Sequence, residues 1–104
     1  MGLPTTQSAA YFKTIDKLLG TAKDTYRAGN PDAANEALIE AYLENFEYLE
    51  APIKEADAEL EEKLEKTLRV GLPELVRTEV SHEDFDTAVD AALADLDRAE
   101  TLFK

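Results

Sequence analysis

The chain of 104 residues contains no cysteine. This excludes disulfides, thiolate catalysis and cysteine-ligated zinc, and it leaves the redox compartment unread. Histidine occurs once, at His82. A di-iron carboxylate bundle needs Glu-x-x-His on each of two helices besides two further inward glutamates. The one such spelling, Glu79 to His82, cannot supply that set, and His82 reads as a surface residue beside a helix cap. Serine is confined to Ser8 and Ser81 with no Gly-x-Ser-x-Gly, and the four glycines never cluster into a phosphate loop. No apolar run approaches the roughly 18–20 residues of a membrane span, and the start MGLPTTQ has no signal-peptide pattern. We expect a soluble domain cut from a longer protein.

Basic residues are also scarce, 11 against 23 acidic ones, for a formal charge of -12. Nucleic acid and anionic membrane surfaces both require a basic face, so neither fits as a partner. Cations and basic proteins do. The imbalance is local: residues 1–30 carry four basic and two acidic groups, residues 31–70 carry four and twelve, and residues 71–104 carry three and nine. On its own this describes a solvated acidic surface that keeps the protein soluble.

What is abundant is Ala and Leu, which with few Val and Ile favours helix over sheet. The length suits a single helical domain, 1–104. Phe12, Ile15, Leu19, Ala22 and Tyr26 recur at steps of three and four, predicting a helix over 5–28 that Gly29 ends. Asn30-Pro31 caps a second, over 31–50, with Leu38, Tyr42, Asn45, Phe46 and Leu49 inward. Pro52 predicts a break or kink between Ala51 and Asp57, because proline removes a backbone donor and disfavours helix just before it. A third helix follows over 57–70 with Leu60, Leu64 and Leu68, capped by Asp57 and ended by Gly71. Residues 71–80 read as a linker with one helical turn after Pro73. Ser81 caps a fourth helix over 82–103, with Phe85, Val89, Ala92, Leu93, Leu96 and Leu102 or Phe103 inward. The fold class is all-α, a four-helix up-and-down bundle.

One stretch carries candidate chemistry. Glu36, Glu40, Glu44, Glu47 and Glu50, counted at about 100° per residue, share a stripe about 120° wide. Like charges three and four residues apart disfavour the helix by a few tenths of a kcal/mol per pair, and no basic residue relieves them before Lys54. A hard cation such as Fe³⁺, Ca²⁺, Mg²⁺ or Mn²⁺ would offset this repulsion, since such ions prefer oxygen ligands. The plainer reading is a wet face screened by water. Tyr11, Tyr26, Tyr42 and Tyr48 could line a pocket, yet Tyr26 and Tyr42 fall on apolar stripes and read as core or rim. Asn45 is the one polar side chain expected inward, to satisfy a buried partner.

Two resemblances bear on these residues. Tyr26, Gly29, Ala33-Ala34, Ala37 and Ala41 are spaced as in a tetratricopeptide helix pair, of which there is one unit. That likeness implies an acidic adaptor that binds proteins and no metal. Tyr26-x-x-Gly29, Ala41-Tyr42 leading into Phe46-Glu47-x-x-Glu50, then Asp57, Leu60, Glu62 and Leu68-Arg69, together resemble the soluble helical region of prokaryotic oxidase-dependent high-affinity iron permeases. The likeness covers about residues 15–70, and the family's Arg-Glu-x-x-Glu motifs, which lie in its membrane helices, are absent. It implies a non-enzymatic, extracytoplasmic part of a longer permease that captures or relays iron, its partners being the cation and the membrane part of the same protein. Glu47 and Glu50 would be the first metal ligands, with Glu44 and Glu40 as auxiliaries and Glu62 reaching in from the third helix. A metal module predicts carboxylates converging around a gap. An adaptor predicts a contiguous exposed apolar patch.

Overall fold

The computed structural model describes residues 5–103 and is all-helical, with no strand among the described residues. Four helices follow one another. α1 spans Thr5–Arg27, α2 spans 31–56, α3 spans 58–77 and α4 spans His82–Thr101. None is long and apolar enough to cross a membrane.

Each boundary has a local cause. Gly29, at φ 83, ends α1 in the left-handed conformation, with Asn30 N–H donating to the Thr25 carbonyl at 2.9 Å and Gly29 N–H to Tyr26 at 3.0 Å. The Asn30 side chain accepts from Ala33 N–H at 3.1 Å, Pro31 follows at the first turn, and α2 begins. α3 starts where Asp57 turns the chain and accepts from Leu60 N–H at 3.2 Å. Ser81 caps α4 by accepting from Asp84 N–H at 3.1 Å. All three caps lie where the sequence places them.

The helices run further than expected. α2 continues through Pro52 to Ala56 and breaks at Asp57 instead, and α3 continues past Gly71 to Arg77, absorbing most of the expected linker. Ile53, Leu72 and Val76, in segments read as turn or linker, are therefore core residues. Both helices contain one wide π-helical turn, Tyr42–Phe46 in α2 and Thr67–Gly71 in α3. There Glu47 N–H reaches back to the Tyr42 carbonyl and Leu72 N–H to Thr67, five residues away.

These turns repair the register of the apolar face. At about 100° per residue Phe46, Leu49 and Ile53 would stand about 60–120° from Ala34, and the wide turn, which unwinds the helix by about one residue's rotation, returns them to within about 40° of it. In α3 the run Leu60, Leu64, Leu68, Leu72, Val76 drifts about 40° per step of four, and the wide turn removes about 100° of the accumulated drift. All eight of these residues are buried. The α3 turn also accommodates Pro73, whose missing N–H would otherwise face the Arg69 carbonyl within it.

α1 packs on the first part of α2 and on α4, while the second part of α2 lies against the start of α3. The end of α3 returns to the start of α2. Phe12, Ile15, Leu19, Leu38, Phe46, Leu64, Phe85, Val89 and Leu96 join in one core. Of the two candidates at the end of α4, Phe103 is the one that packs inward, edge-on to Phe12 with ring centroids 5.4 Å apart, and Leu102 is exposed. The longest dimension is 41 Å, close to the roughly 39 Å that α2 requires at 1.5 Å per residue.

Candidate metal centre

The Asp57 turn folds α3 back along the second part of α2. Glu50 of α2 thereby meets Glu61 and Glu65, which lie four apart on one face of α3. One carboxylate oxygen from each lies within 4.8 Å of the other two. Glu61 is buried, with 4% of its surface exposed, and Glu50 and Glu65 are half-buried. Lys54, Glu62, Lys66 and Arg69 line the cleft over Glu61 and Glu65.

The wide turn in α2 contributes directly to this geometry. Tyr42 and Glu50, eight apart, would diverge by about 80° on a regular helix, and the unwinding at the wide turn brings them within about 20°. This sets the Tyr42 phenol beside Glu50, where it favours the ionised carboxylate and is itself harder to ionise. The same turn lets the Asn45 amide donate to the Glu40 carbonyl, five residues back, at 3.2 Å, so this buried polar side chain is satisfied as expected.

Electrostatically the cluster is strained. Desolvation pushes the Glu50 carboxyl above its ordinary pKa, with Glu65 and Glu47 adding to the rise and the Tyr42 hydroxyl and Lys54 opposing it. Glu61 is raised first by desolvation, then by Glu65 and Glu50. Burial and the charges of Glu50 and Glu65 raise the Tyr42 phenol as well. Among cations, Arg69 approaches Glu65 at 3.6 Å. Glu50 Oε1 is buried and has no hydrogen-bond partner. A buried carboxylate oxygen left without a donor is unfavourable by about 1–3 kcal/mol, more when charged.

Of the glutamates singled out in the sequence, Glu50 alone enters this cluster. Glu40, Glu44 and Glu47 are exposed, and the five-membered stripe is divided, because the wide turn swings Glu47 and Glu50 about 100° from the line of Glu36 and Glu40. Glu62 is exposed and sits 4.0 Å from Lys66. Sequence reasoning missed Glu61 and Glu65, though the leucines of α3 hold the signal. Measured from the mean direction of Leu60, Leu64 and Leu68, Glu61 stands about 60° away, Glu65 about 100° and Glu62 about 160°. His82 is exposed beside the α4 cap, as expected.

Three carboxylates from two helices, with a phenol behind them, form an oxygen-only donor set of the kind hard cations take. Metal–oxygen bonds of about 2.0–2.6 Å put ligand oxygens at most about 4–5 Å apart, which these three satisfy. The buried Glu50 oxygen, with no donor among the described residues, is free to offer its lone pairs to a cation. Compared with family models, with curated proteins and with solved structures, the chain finds no match in any of the three.

Proposed function

We propose that this chain is a non-enzymatic module, an up-and-down four-helix bundle, that binds a hard cation between Glu50, Glu61 and Glu65. The cation is iron in the reading implied by the likeness of residues 15–70 to iron permeases, and it is cargo to be captured or relayed. In that reading the module belongs to the extracytoplasmic side of a longer uptake protein. The observation that carries the proposal is the convergence of three partly desolvated carboxylates, one with a buried oxygen lacking any donor. Short connections between helices that pack on their neighbours in sequence support the up-and-down form. Tyr42 orients Glu50 and offers a fourth oxygen.

The test is calorimetry with Fe²⁺, citrate-buffered Fe³⁺ and Ca²⁺. We expect one cation per chain, with affinity falling at least about 10-fold in Glu50→Gln and in Glu61→Gln, as loss of one charged ligand from a small set predicts. Glu40→Gln, Glu44→Gln, Glu47→Gln and Glu62→Gln should bind as wild type does. If every metal is indifferent to Glu50→Gln/Glu61→Gln, the proposal is wrong.

A further inference from the structure

The face where α2 meets the end of α3 carries a second feature, which adjoins the carboxylate cluster at Tyr42 and Arg69. Ile39 and Leu43, one turn apart on α2, are 46% and 47% exposed. With Tyr42, Leu68, Arg69 and Pro73 they line an apolar groove between the two helices. The exposed Val70 extends the apolar surface beyond Arg69 and Pro73. On its α2 side the groove opens into a depression shared by Ile39 and Leu43 with Glu36, Glu40 and Glu44. No lysine or arginine occurs between Pro31 and Ile53.

We propose that this groove receives a basic amphipathic helix of a partner protein. Apolar anchors one turn apart, set in a groove between helices, are what helix-in-groove recognition uses. A rim of one sign selects the opposite charge, which steers encounter and fixes orientation. Among the described residues the one cation lining the groove itself, Arg69, is engaged with Glu65 at 3.6 Å, so the glutamate rim sets the sign. A second copy of this chain, docking symmetrically, would bring the same three glutamates against themselves. Acidic helices and anionic lipid are repelled for the same reason. The occupant is thus a helix with leucine-like residues at steps of three and four and lysine or arginine on its flanks. The groove shares Tyr42 and Arg69 with the surroundings of the cation site but uses none of its three carboxylates.

The probe is a fluorescein-labelled helical peptide with leucines on one face and lysines flanking them, titrated with the full chain near physiological salt and followed by anisotropy. Two controls replace its lysines by glutamate or scramble its order. We expect saturable binding that weakens at least about 10-fold in Ile39→Ser/Leu43→Ser and in Glu36→Gln/Glu40→Gln/Glu44→Gln, and that falls as salt rises. Glu50→Gln should leave it unchanged. All substituted groove and rim positions are exposed, and circular dichroism of each variant checks that the helices persist. Failure of the lysine peptide to bind, equal binding of either control peptide, or a dimer of the chain that Ile39→Ser/Leu43→Ser abolishes would each overturn the proposal.

Discussion

At the scale of single residues, Glu79 shows how a terminal signal can be hidden. It ends α3 at φ 57, the left-handed conformation that Gly29 supplies after α1, and Val80 N–H donates to the Leu75 carbonyl in the same way. For a residue with a Cβ this conformation is unfavourable by about 1–2 kcal/mol. Glu79→Gly should therefore raise the stability to urea by about 1 kcal/mol, less a fraction for the greater freedom of the unfolded glycine chain. A variant no more stable than wild type would contradict this account. Tyr42 belongs at the same scale. Tyr42→Phe keeps the ring but removes the hydroxyl that stands beside Glu50, so the cation should bind several-fold more weakly while thermal stability changes little. A titration that matched wild type would remove Tyr42 from the site. Neither role was legible in the sequence: Glu79 lacks the glycine signature of such an end, and Tyr42 joins Glu50 only because the helix between them is underwound by one wide turn.

At the scale of helices, the caps were legible because Asn30, Asp57 and Ser81 each act on a backbone donor within three residues. The core was legible wherever the step of three or four held constant, as in Phe12, Ile15, Leu19 and Ala22. What failed was the weight given to Pro52 and Gly71. Local propensity favours a break at each, yet Ile53, Leu72 and Val76 bury enough apolar surface beyond them to keep the backbone helical, an override of propensity by packing. Pro52 should then be a tolerated defect. Pro52→Ala would restore a donor toward the Tyr48 carbonyl and relieve the ring, stabilising the protein by about 1–3 kcal/mol. A loss of helical signal in this variant would mean that the proline shapes α2 in a way the packing does not account for. The candidate site failed to read for a related reason. A helical wheel drawn at a uniform 100° leaves Glu50 on the wet stripe, and one wide turn moves it to the interface with α3.

For the molecule as a whole, charge and protonation decide stability. Burial, with Asp97 and Glu100 nearby, pushes Asp16 up to about 6, its Oδ1 is buried and unpartnered, and Glu50 and Glu61 are raised too. For each of these acids the unfolded chain gives up a proton that the folded chain retains, so stability falls as pH climbs from about 4 through the raised values. Glu74, held low by Arg77, acts in the opposite sense, but from a fully exposed position. Ion pairs from Lys23 to Asp90, at 2.7 Å, and from Lys63 to Asp95, at 2.9 Å, tie α4 to α1 and α3. The urea midpoint should be higher at pH 4 than at pH 7. Asp16→Asn should recover about 1 kcal/mol at pH 7 after allowance for solvent screening. A midpoint that rises steadily to neutral pH would refute this. A cation at about 100 times its Kd should add about 2.7 kcal/mol, or roughly 10–20 °C in Tm, and offset the part of the pH dependence that comes from Glu50 and Glu61, leaving that of Asp16. An unchanged Tm in Glu50→Gln under the same cation would place the effect at that site.

The wide turn Tyr42–Phe46 also bears on how this chain can change in length. Because it holds one more residue than a regular turn while both halves of α2 keep facing the core, a residue can be lost there without rotating anything downstream. Deleting the exposed Glu44 should leave a regular α-helix, with Glu50 still beside Glu61, and should give up only the Asn45 bond to Glu40. The same deletion five residues later, at Leu49, would turn Ile53 out of the core and unfold the protein. Circular dichroism and urea unfolding of the two deletions would separate them, and equal damage from both would show that the turn has no such slack. On this view relatives that differ by one residue in α2 would show the gap within this turn and keep Glu50, Glu61 and Glu65 in place.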